Sequence, residues 1–320
     1  SAYEQFLGKQ IKVDVQHRAK IEEKPEVRKA GGVYYTPQYV VDYIVKNTVG
    51  ELLDGKTPKD VNKLRIVDPA CGSGSFLIGA YQYLLTWHKD YYNNSEKQGS
   101  KRNSPITSEG HLTTAEKKRI LLNNIYGVDI DINAVEVTKL SLLLKCMEGE
   151  TSASIAHQLS FFNERILPTL DDNIKSGNSL IDTDFYDSQI DFGEEKKIKP
   201  FNWQKAFPNI FKQGGFDVIV GNPPWGADLS SESLSYLRKK HSSIIVRMVD
   251  SYMYFINHSI DLLQKDGFFG MIIPSTFLNQ SDMQLLRKKI AEKLDIHVVV
   301  NLGEKVFGSK VLNTSTILVF

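Results

Sequence analysis

The residues Asn222-Pro223-Pro224-Trp225 set an amide, two prolines and an indole directly after the apolar run Val218-Ile219-Val220. Proline fixes its own φ and supplies no N–H, so the pair ends the strand and holds the neighbouring residues at one angle. The Asn222 side-chain oxygen and the Pro223 carbonyl are then two acceptors in a fixed relation, and Trp225 offers a flat face for stacking. That set suits a planar ring bearing an exocyclic amino group. Such an amine is a poor nucleophile because its lone pair is delocalised into the ring, and acceptors that hold its hydrogens out of plane restore its reactivity. Taken alone, the four residues also read as a proline-terminated strand with a core tryptophan.

A second cluster, Asp68-Pro69-Ala70-Cys71-Gly72-Ser73-Gly74-Ser75-Phe76-Leu77, follows the apolar run Leu64-Arg65-Ile66-Val67 and leads into helical spacing through Leu85. Gly72 and Gly74 permit a tight turn and close approach to a ligand, and the free N–H groups of a helix starting at Ser75 face the same space. The loop lacks a Gly-Lys-Ser/Thr ending and so offers no lysine to a triphosphate. Asp68 would repel a diphosphate but accept from, or pair with, the ammonium of an amino-acid-bearing cofactor. A third cluster, Asn124-Ile125-Tyr126-Gly127-Val128-Asp129, ends on an acid placed to accept from both hydroxyls of a ribose. In a nicotinamide-binding unit that acid lies about 20 residues past the glycines, and here it is much farther on. Asp131 is the alternative ribose ligand; Asp129 is favoured because Asp131 is better placed to cap the next helix.

Each cluster needs a strand to end beside it. Short apolar runs that suit strands covered on both faces precede Asp68, Asp129 and Asn222, and three more lie at Gly267 to Pro274, His297 to Leu302 and Thr314 to Phe320. Helical spacing separates them, at Pro37 to Leu53 (Val40, Val41, Ile44, Val45, Val49), Ile132 to Met147 and Met248 to Leu263. Alternation of this kind predicts an α/β fold with a doubly wound, mostly parallel sheet, whose ligands bind outside the carboxyl ends of the strands. Two polar stretches read as surface insertions, one near 88–118 and one near 182–215. In the second, Phe201, Trp203 and Phe207 are expected to pack the segment down. The start, Tyr3 to Lys20, reads as a helical connector, giving residues 1–30 as connector and 31–320 as one catalytic domain.

Asp-Pro-Ala-Cys-Gly-Ser-Gly-Ser-Phe-Leu, then Gly-Val-Asp-Ile, then Asn-Pro-Pro-Trp, in that order, resembles an S-adenosylmethionine-dependent DNA adenine N6-methyltransferase. Gly31-Gly32-Val33-Tyr34-Tyr35-Thr36-Pro37 upstream resembles the cofactor motif of the gamma arrangement. Pro25-Glu26-Val27-Arg28-Lys29-Ala30 before it is similar to the Type IIG, Eco57I-like restriction and modification enzymes. The resemblance implies a seven-stranded Rossmann-like methyltransferase fold with a terminal antiparallel hairpin. It implies that S-adenosylmethionine is held by Tyr35, Thr36, Pro37, Asp68, Pro69, Ala70, Gly72, Gly74, Ser75, Phe76, Asp129, Ile130, Asn178, Ser179 and Asn222. Asn178 stands where the family often has aspartate and keeps the side-chain oxygen that would accept from the cofactor's adenine. Asn222, Pro223, Pro224 and Trp225 are the implied catalytic residues, with Trp225 stacking on the flipped target adenine and Phe307, in Glu304-Lys305-Val306-Phe307-Gly308, covering its other side. Double-stranded DNA is the implied partner. A target-recognition domain after residue 320 and a nuclease before residue 1 are implied for the uncut protein, and no metal is expected for methyl transfer.

Global composition adds limits. A formal net charge of +1 over 320 residues does not mark a nucleic-acid binder, so DNA contact would rest on local clusters such as Arg238-Lys239-Lys240-His241 or Arg287-Lys288-Lys289. Two cysteines give no disulfide framework and fit a reduced, cytoplasmic setting, and no apolar stretch is long enough to span a membrane. Three other readings compete. A protein glutamine N5-methyltransferase also uses Asn-Pro-Pro-aromatic, but usually with tyrosine and without Tyr-Thr-Pro ahead of the glycine loop. A non-catalytic cofactor- or DNA-binding subunit has no need of all four residues from Asn222 to Trp225, and a nicotinamide dehydrogenase fits neither Asp68 nor the distant Asp129.

Overall fold

The computed structural model describes residues 9–13, 19–23, 36–95, 104–150, 167–187, 198–226, 229–244, 247, 250–307 and 315–320. The described start of the chain is not helical: Lys9–Val13 (β1) and Ala19–Glu23 (β2) pair antiparallel, with Ile11 opposite Ile21. The expected helix over Tyr3 to Lys20 is therefore corrected. Ile11 and Val13 alternate with polar residues at a period of two, which a strand rather than a helix satisfies.

Seven further strands form one sheet, β3 (Ile66–Asp68), β4 (Ile125–Asp129), β5 (Ile174–Ser176), β6 (Phe216–Gly221), β7 (Leu263–Pro274), β8 (Val298–Gly303) and β9 (Ser315–Val319). Their order is β5-β4-β3-β6-β7-β9-β8. β4, β5, β6 and β7 pair parallel along the row that contains β3, and β9 alone among the described strands of this sheet runs against its neighbours, β7 and β8. The expected doubly wound sheet with a terminal antiparallel pair is what forms. From β3 the chain builds outward through β4 and β5, then returns to β3's other side with β6. That reversal puts the switch point between the ends of β3 and β6, where open α/β sheets bind ligands.

Helices cover both faces: α1 (Gln38–Lys46), α2 (Val49–Leu53), α3 (Pro58–Val61), α4 (Ser75–Ser95), α5 (Thr114–Asn124), α6 (Ile132–Met147), α7 (Trp203–Ala206), α8 (Pro208–Phe211), α9 (Ser231–Lys240), α10 (Ser251–Leu262), α11 (Thr276–Asn279) and α12 (Gln284–Lys293). Successive strand residues feed opposite cores, as a pleat requires. Ile66, Val218, Val220 and Ile272 pack with Val40, Ile44, Leu77, Ile120 and Leu142 on one side. Val67, Ile219, Met271 and Ile273 pack on the other with Tyr252, Ile256, Leu286 and the aromatics Phe201, Trp203 and Phe207.

Both expected insertions lie partly outside the described residues, at 96–103 and 188–197. α4 runs on to Ser95 and α5 begins at Thr114, so the two ends of 88–118 are helical, and His88 is fully buried. Some of the polar residues there are paired, while Lys89 and Asp90 are exposed. The Arg119 guanidinium meets Glu116 at 2.6 Å and the Tyr92 hydroxyl donates to the same carboxylate at 2.7 Å. In the second stretch Phe201, Trp203 and Phe207 are buried, and the Trp203 indole N–H donates to the Ser179 carbonyl at 3.0 Å.

Two neighbouring histidines, His241, which is buried, and His258, which is half-buried with its Nε2 shielded, make stability depend on pH. The Asn257 amide N–H₂ donates to His241 Nδ1 at 2.7 Å while its oxygen accepts from Lys289 at 2.7 Å. The His258 ring sits 6.0 Å from Trp203 and 6.5 Å from His241. Burial, with Lys240 and Lys289 adding, pushes His241 down to about 4, and burial with His241 adding pushes His258 down to about 3. Above the unfolded value of about 6.5 both are neutral in either state, so nothing is lost. Below it the unfolded chain takes up two protons that the folded chain refuses, and stability falls as the pH drops toward about 4, by up to about 2.7 kcal/mol per pH unit. Denaturant melts between about pH 7.5 and 5 should show this loss, and His241→Gln should roughly halve the contribution of the pair.

Candidate functional site

Three adjacent strands bring Asp129, Asp68 and Asn222 to one edge of the sheet, at the ends of β4, β3 and β6. Asp68 is 2% exposed, with Oδ1 accepting the Ala70 N–H at 2.9 Å. Burial, reinforced by the charge of Asp129, pushes its carboxyl up to about 8 against the pull of that N–H. Gly221 leaves the space this carboxyl occupies, since a Cβ there would lie 2.7 Å from Asp68 Oδ1. Gly221→Ala is accordingly expected to displace the Asp68 carboxyl and weaken ligand binding at that edge at least tenfold, an order set by the loss of one charged hydrogen bond. Calorimetry checks this, with a thermal melt to show that the fold persists.

The glycine loop is held by the strand beside it. Gly72 and Gly74 both have positive φ, 52° and 86°. The Cys71 N–H donates to the Val128 carbonyl at 3.0 Å, and the Thr138 hydroxyl on α6 donates to the Gly72 carbonyl at 2.8 Å. A Cβ on Gly74 would lie 2.8 Å from the Thr138 methyl, so this turn needs glycine for space as well as for φ. Asp129 binds the loop from the other side, accepting the Gly72 N–H on Oδ2 and the Asp131 N–H on Oδ1, both at 2.8 Å. Burial raises the Asp129 carboxyl above the ordinary range, and the two N–H bonds oppose the rise. Each oxygen keeps a lone pair for a further donor. Asp131 is the cap of α6, accepting the Asn133 N–H at 2.9 Å.

The residues around this edge take unequal parts. Ile130 is 46% exposed beside Asp129, and its carbonyl accepts from Lys199 at 2.8 Å. The Asn178 side-chain oxygen already accepts the Leu180 N–H at 3.1 Å, leaving one lone pair for any ligand. The Ser179 hydroxyl is committed to the Pro69 carbonyl. Phe76 is buried in the core behind the loop, and Ser75 opens α4. Tyr35 lies outside the described residues, while Thr36 is buried and Pro37 caps α1.

Asn222 is tied to this edge by its amide nitrogen, which donates to Thr36 Oγ1 at 3.2 Å. Its Oδ1 is buried and has no partner among the described residues. A buried amide oxygen left unpaired costs about 1–3 kcal/mol, and at the end of β6, beside the Asp68 carboxyl, it is an acceptor open to a ligand's donor. The Trp225 indole N–H is buried and unpartnered in the same sense. Phe307 reaches Trp225 from the far end of the sequence, but the rings meet edge to face, with centroids 5.2 Å apart and planes at 85°.

The sequence reading missed Asp250 and Ser251 at the start of α10. Ser251 Oγ donates to the Pro224 carbonyl at 2.5 Å, and Asp250 Oδ1 accepts the Gly226 N–H at 2.7 Å. An acid and a serine before an apolar helix read locally as a cap. Of the two basic clusters, Arg287-Lys288-Lys289 turns largely inward. Arg287 donates to the Phe277 and Gln280 carbonyls and Lys289 to Asn257, whereas Arg238 and Lys239 are exposed on α9. Among the described residues no group of three or more His, Cys, Asp or Glu is gathered as a metal would require, and no helix is long and apolar enough to cross a membrane.

The chain as a whole is similar to known proteins. The model of the Eco57I restriction-modification methylase family matches residues 123–307. The chain is 35% identical over 324 residues to RM.Eco57I of Escherichia coli, a type II restriction enzyme and methyltransferase, in a match covering 99% of this chain and 30% of that protein. It is 24% identical over 442 residues to a putative type II restriction enzyme and methyltransferase of Methanocaldococcus jannaschii, covering 91% of this chain and 36% of that one. It thus spans about a third of the length of these relatives. Among solved structures, the Type ISP restriction-modification enzyme LlaGI with a DNA substrate mimic superposes with a TM-score of 0.61 at 17% identity, over 90% of this chain and 23% of that one. The DrdV–DNA complex gives 0.60 at 15% identity, over 93% and 27%. With the strand order, the glycine loop and the Asn222 edge in place, the family match over residues 123–307 is decisive: the chain belongs to the Eco57I restriction-modification methylase family.

Proposed function

We propose that this chain transfers a methyl group from S-adenosylmethionine to the N6 amino group of a flipped-out adenine in DNA. The observation that carries the reading is the buried, unpartnered Asn222 Oδ1 at the switch point, next to a carboxyl and a glycine turn. The residues present fit the cofactor. Asp68 offers a buried acceptor for an ammonium, Asp129 keeps lone pairs for ribose hydroxyls, the Gly72 and Gly74 turn gives close backbone approach, and exposed Ile130 gives apolar surface for an adenine. When bound, S-adenosylmethionine supplies an electrophilic methyl group on a sulfonium.

The protein's own share is positioning. Asn222 Oδ1 and the Pro223 carbonyl accept the two amine hydrogens and turn the nitrogen lone pair out of the ring. Thr36 holds the Asn222 amide so that its oxygen faces the amine. Orientation and these two acceptors contribute most of the catalysis. Flipping the nucleotide costs a few kcal/mol, which stacking on Trp225 offsets. Phe307 fills space against Trp225 as the rings stand, so it must turn aside before it can cover the second face of a base.

Relatives add support, since one is named an adenine-specific methyltransferase and structural neighbours were seen with DNA. Double-stranded DNA is the proposed partner, and recognition of its sequence is assigned to a domain other than this one. The competing glutamine methyltransferase is separated by one assay. With labelled S-adenosylmethionine, the whole polypeptide is expected to label adenine-containing duplex DNA and leave a glutamine-bearing release-factor peptide unlabelled. Label on the peptide alone overturns the proposal.

A further inference from the structure

We infer that Asp250 and Ser251 form a clamp that fixes the orientation of Trp225, making them positioning residues for the target base; this rests on the function proposed above. A residue in a chain of planar peptides has only two soft dihedrals, φ and ψ. For Trp225 these relate the peptide plane carrying the Pro224 carbonyl to the plane carrying the Gly226 N–H. Both planes are held from α10: Ser251 donates to the Pro224 carbonyl at 2.5 Å and Asp250 accepts the Gly226 N–H at 2.7 Å. Ahead of them, Pro223 and Pro224 each have φ locked by the ring. The chain from Asn222 to Gly226 therefore has little freedom left, so the Trp225 Cα–Cβ bond leaves it in one direction, and the Phe307 ring packed on the indole limits the side-chain torsions that remain.

The clamp is anchored well. Ser251 is 3% exposed, and the next residues of α10, Tyr252, Met253 and Tyr254, are buried. Ser251 Oγ also lies 3.2 Å from Asp250 Oδ1, a longer contact that its one hydrogen, given to Pro224, reaches only as the weak arm of a bifurcated bond. α10 is 12 residues long and packs on β7, the neighbour of β6, which ties the clamp to the sheet that carries Asn222. The bonds that Ser251 and Asp250 make to the Asn222–Gly226 segment go to the two peptides flanking Trp225, so their effect on the site passes through Trp225.

The test uses the whole polypeptide labelled with 5-fluorotryptophan. The chain has three tryptophans, and Trp225→Phe identifies the Trp225 fluorine line. Ser251→Ala and Asp250→Ala are each expected to shift or broaden that line and to lower kcat for adenine methylation roughly 100-fold, the scale of a misplacement near 1 Å. The KM for S-adenosylmethionine should stay within a few-fold. Ser251→Thr and Asp250→Asn, which keep a donor hydroxyl and an acceptor oxygen, are expected to restore both line and rate. Ser251→Cys, nearly isosteric and a weak donor, carries the same expectation as alanine should the alanine variant melt too early. An unmoved Trp225 line in the alanine variants overturns the clamp, whether or not the rate falls, because the effect must pass through the ring. If the unmutated protein leaves adenine unmethylated while the line still moves, the proposed function fails and the clamp stands.

Discussion

Asn222→Ala is expected to lower methyl transfer at least about 10³-fold while S-adenosylmethionine binds within a few-fold of the unmutated protein. The exocyclic amine of adenine reacts only when its hydrogens are drawn away from the ring plane. Asn222 Oδ1 is a buried acceptor with no partner among the described residues, and its nitrogen is committed to Thr36. Removing it leaves the Pro223 carbonyl as one acceptor where two are needed. The cofactor should feel little, because Asp68, Asp129 and the glycine turn remain. Single-turnover transfer and calorimetric titration separate the two effects. A variant that methylates at the normal rate would refute the amide mechanism.

Asp68→Asn is expected to weaken S-adenosylmethionine binding about 100-fold, in line with the loss of a desolvated charge-assisted pair. It should also abolish a proton release that accompanies binding in the unmutated protein. With a carboxyl pushed up to about 8 by burial and by Asp129, Asp68 is mostly protonated at pH 7 in the empty site. An α-amino group, with an ordinary pKa near 7.7–8.0, is mostly an ammonium at that pH. Bringing the two together as carboxylate and ammonium sheds close to one proton from Asp68. The sign is then set: apparent affinity rises with pH until about 8 and levels or falls beyond it as the free amine loses its own proton. Titration in buffers of different ionisation enthalpy measures the released proton directly. Binding without proton release at pH 7 would show that Asp68 does not meet the ammonium.

These two residues, like Asp129, are legible because their signal is local. Each ends a short apolar run, and a strand that runs into glycines or prolines marks its own carboxyl end. Six of the seven strands of the sheet are built from such runs, whereas β5, Ile174-Lys175-Ser176, is too short and polar to show as one. Features that sequence does not reveal act over distance or hide in composition. Asp250 and Ser251 hold a loop 24 and 27 residues earlier, and nothing local distinguishes them from an ordinary helix cap. The stretch after Trp87 reads as solvated because it is polar, yet Glu116, Arg119 and Tyr92 satisfy one another and let His88 be buried. Resemblance sets Phe307 on the opposite face of the base from Trp225, whereas in the structure the two rings meet each other edge to face. The period of two around Ile11 and Ile21 is the available clue to the first strand pair.

Gly221 joins the two largest effects. It comes after Val220 on β6, precedes Asn222, and leaves room for the Asp68 carboxyl from the neighbouring strand. The donor and acceptor halves of the site therefore share one backbone position, which explains why an amide, a carboxyl and a glycine turn fall within a single sheet edge. Clamping from α10 then sets where the base can lie relative to both.

The most direct measurement is sequencing for N6-methyladenine in DNA from cells that express the whole polypeptide, beside cells that express its Asn222→Ala variant. The expected result is modified adenine at a fixed sequence context with the first and none with the second. Adenine left unmodified by the unmutated protein, or modified equally by the variant, would contradict methyl transfer at Asn222.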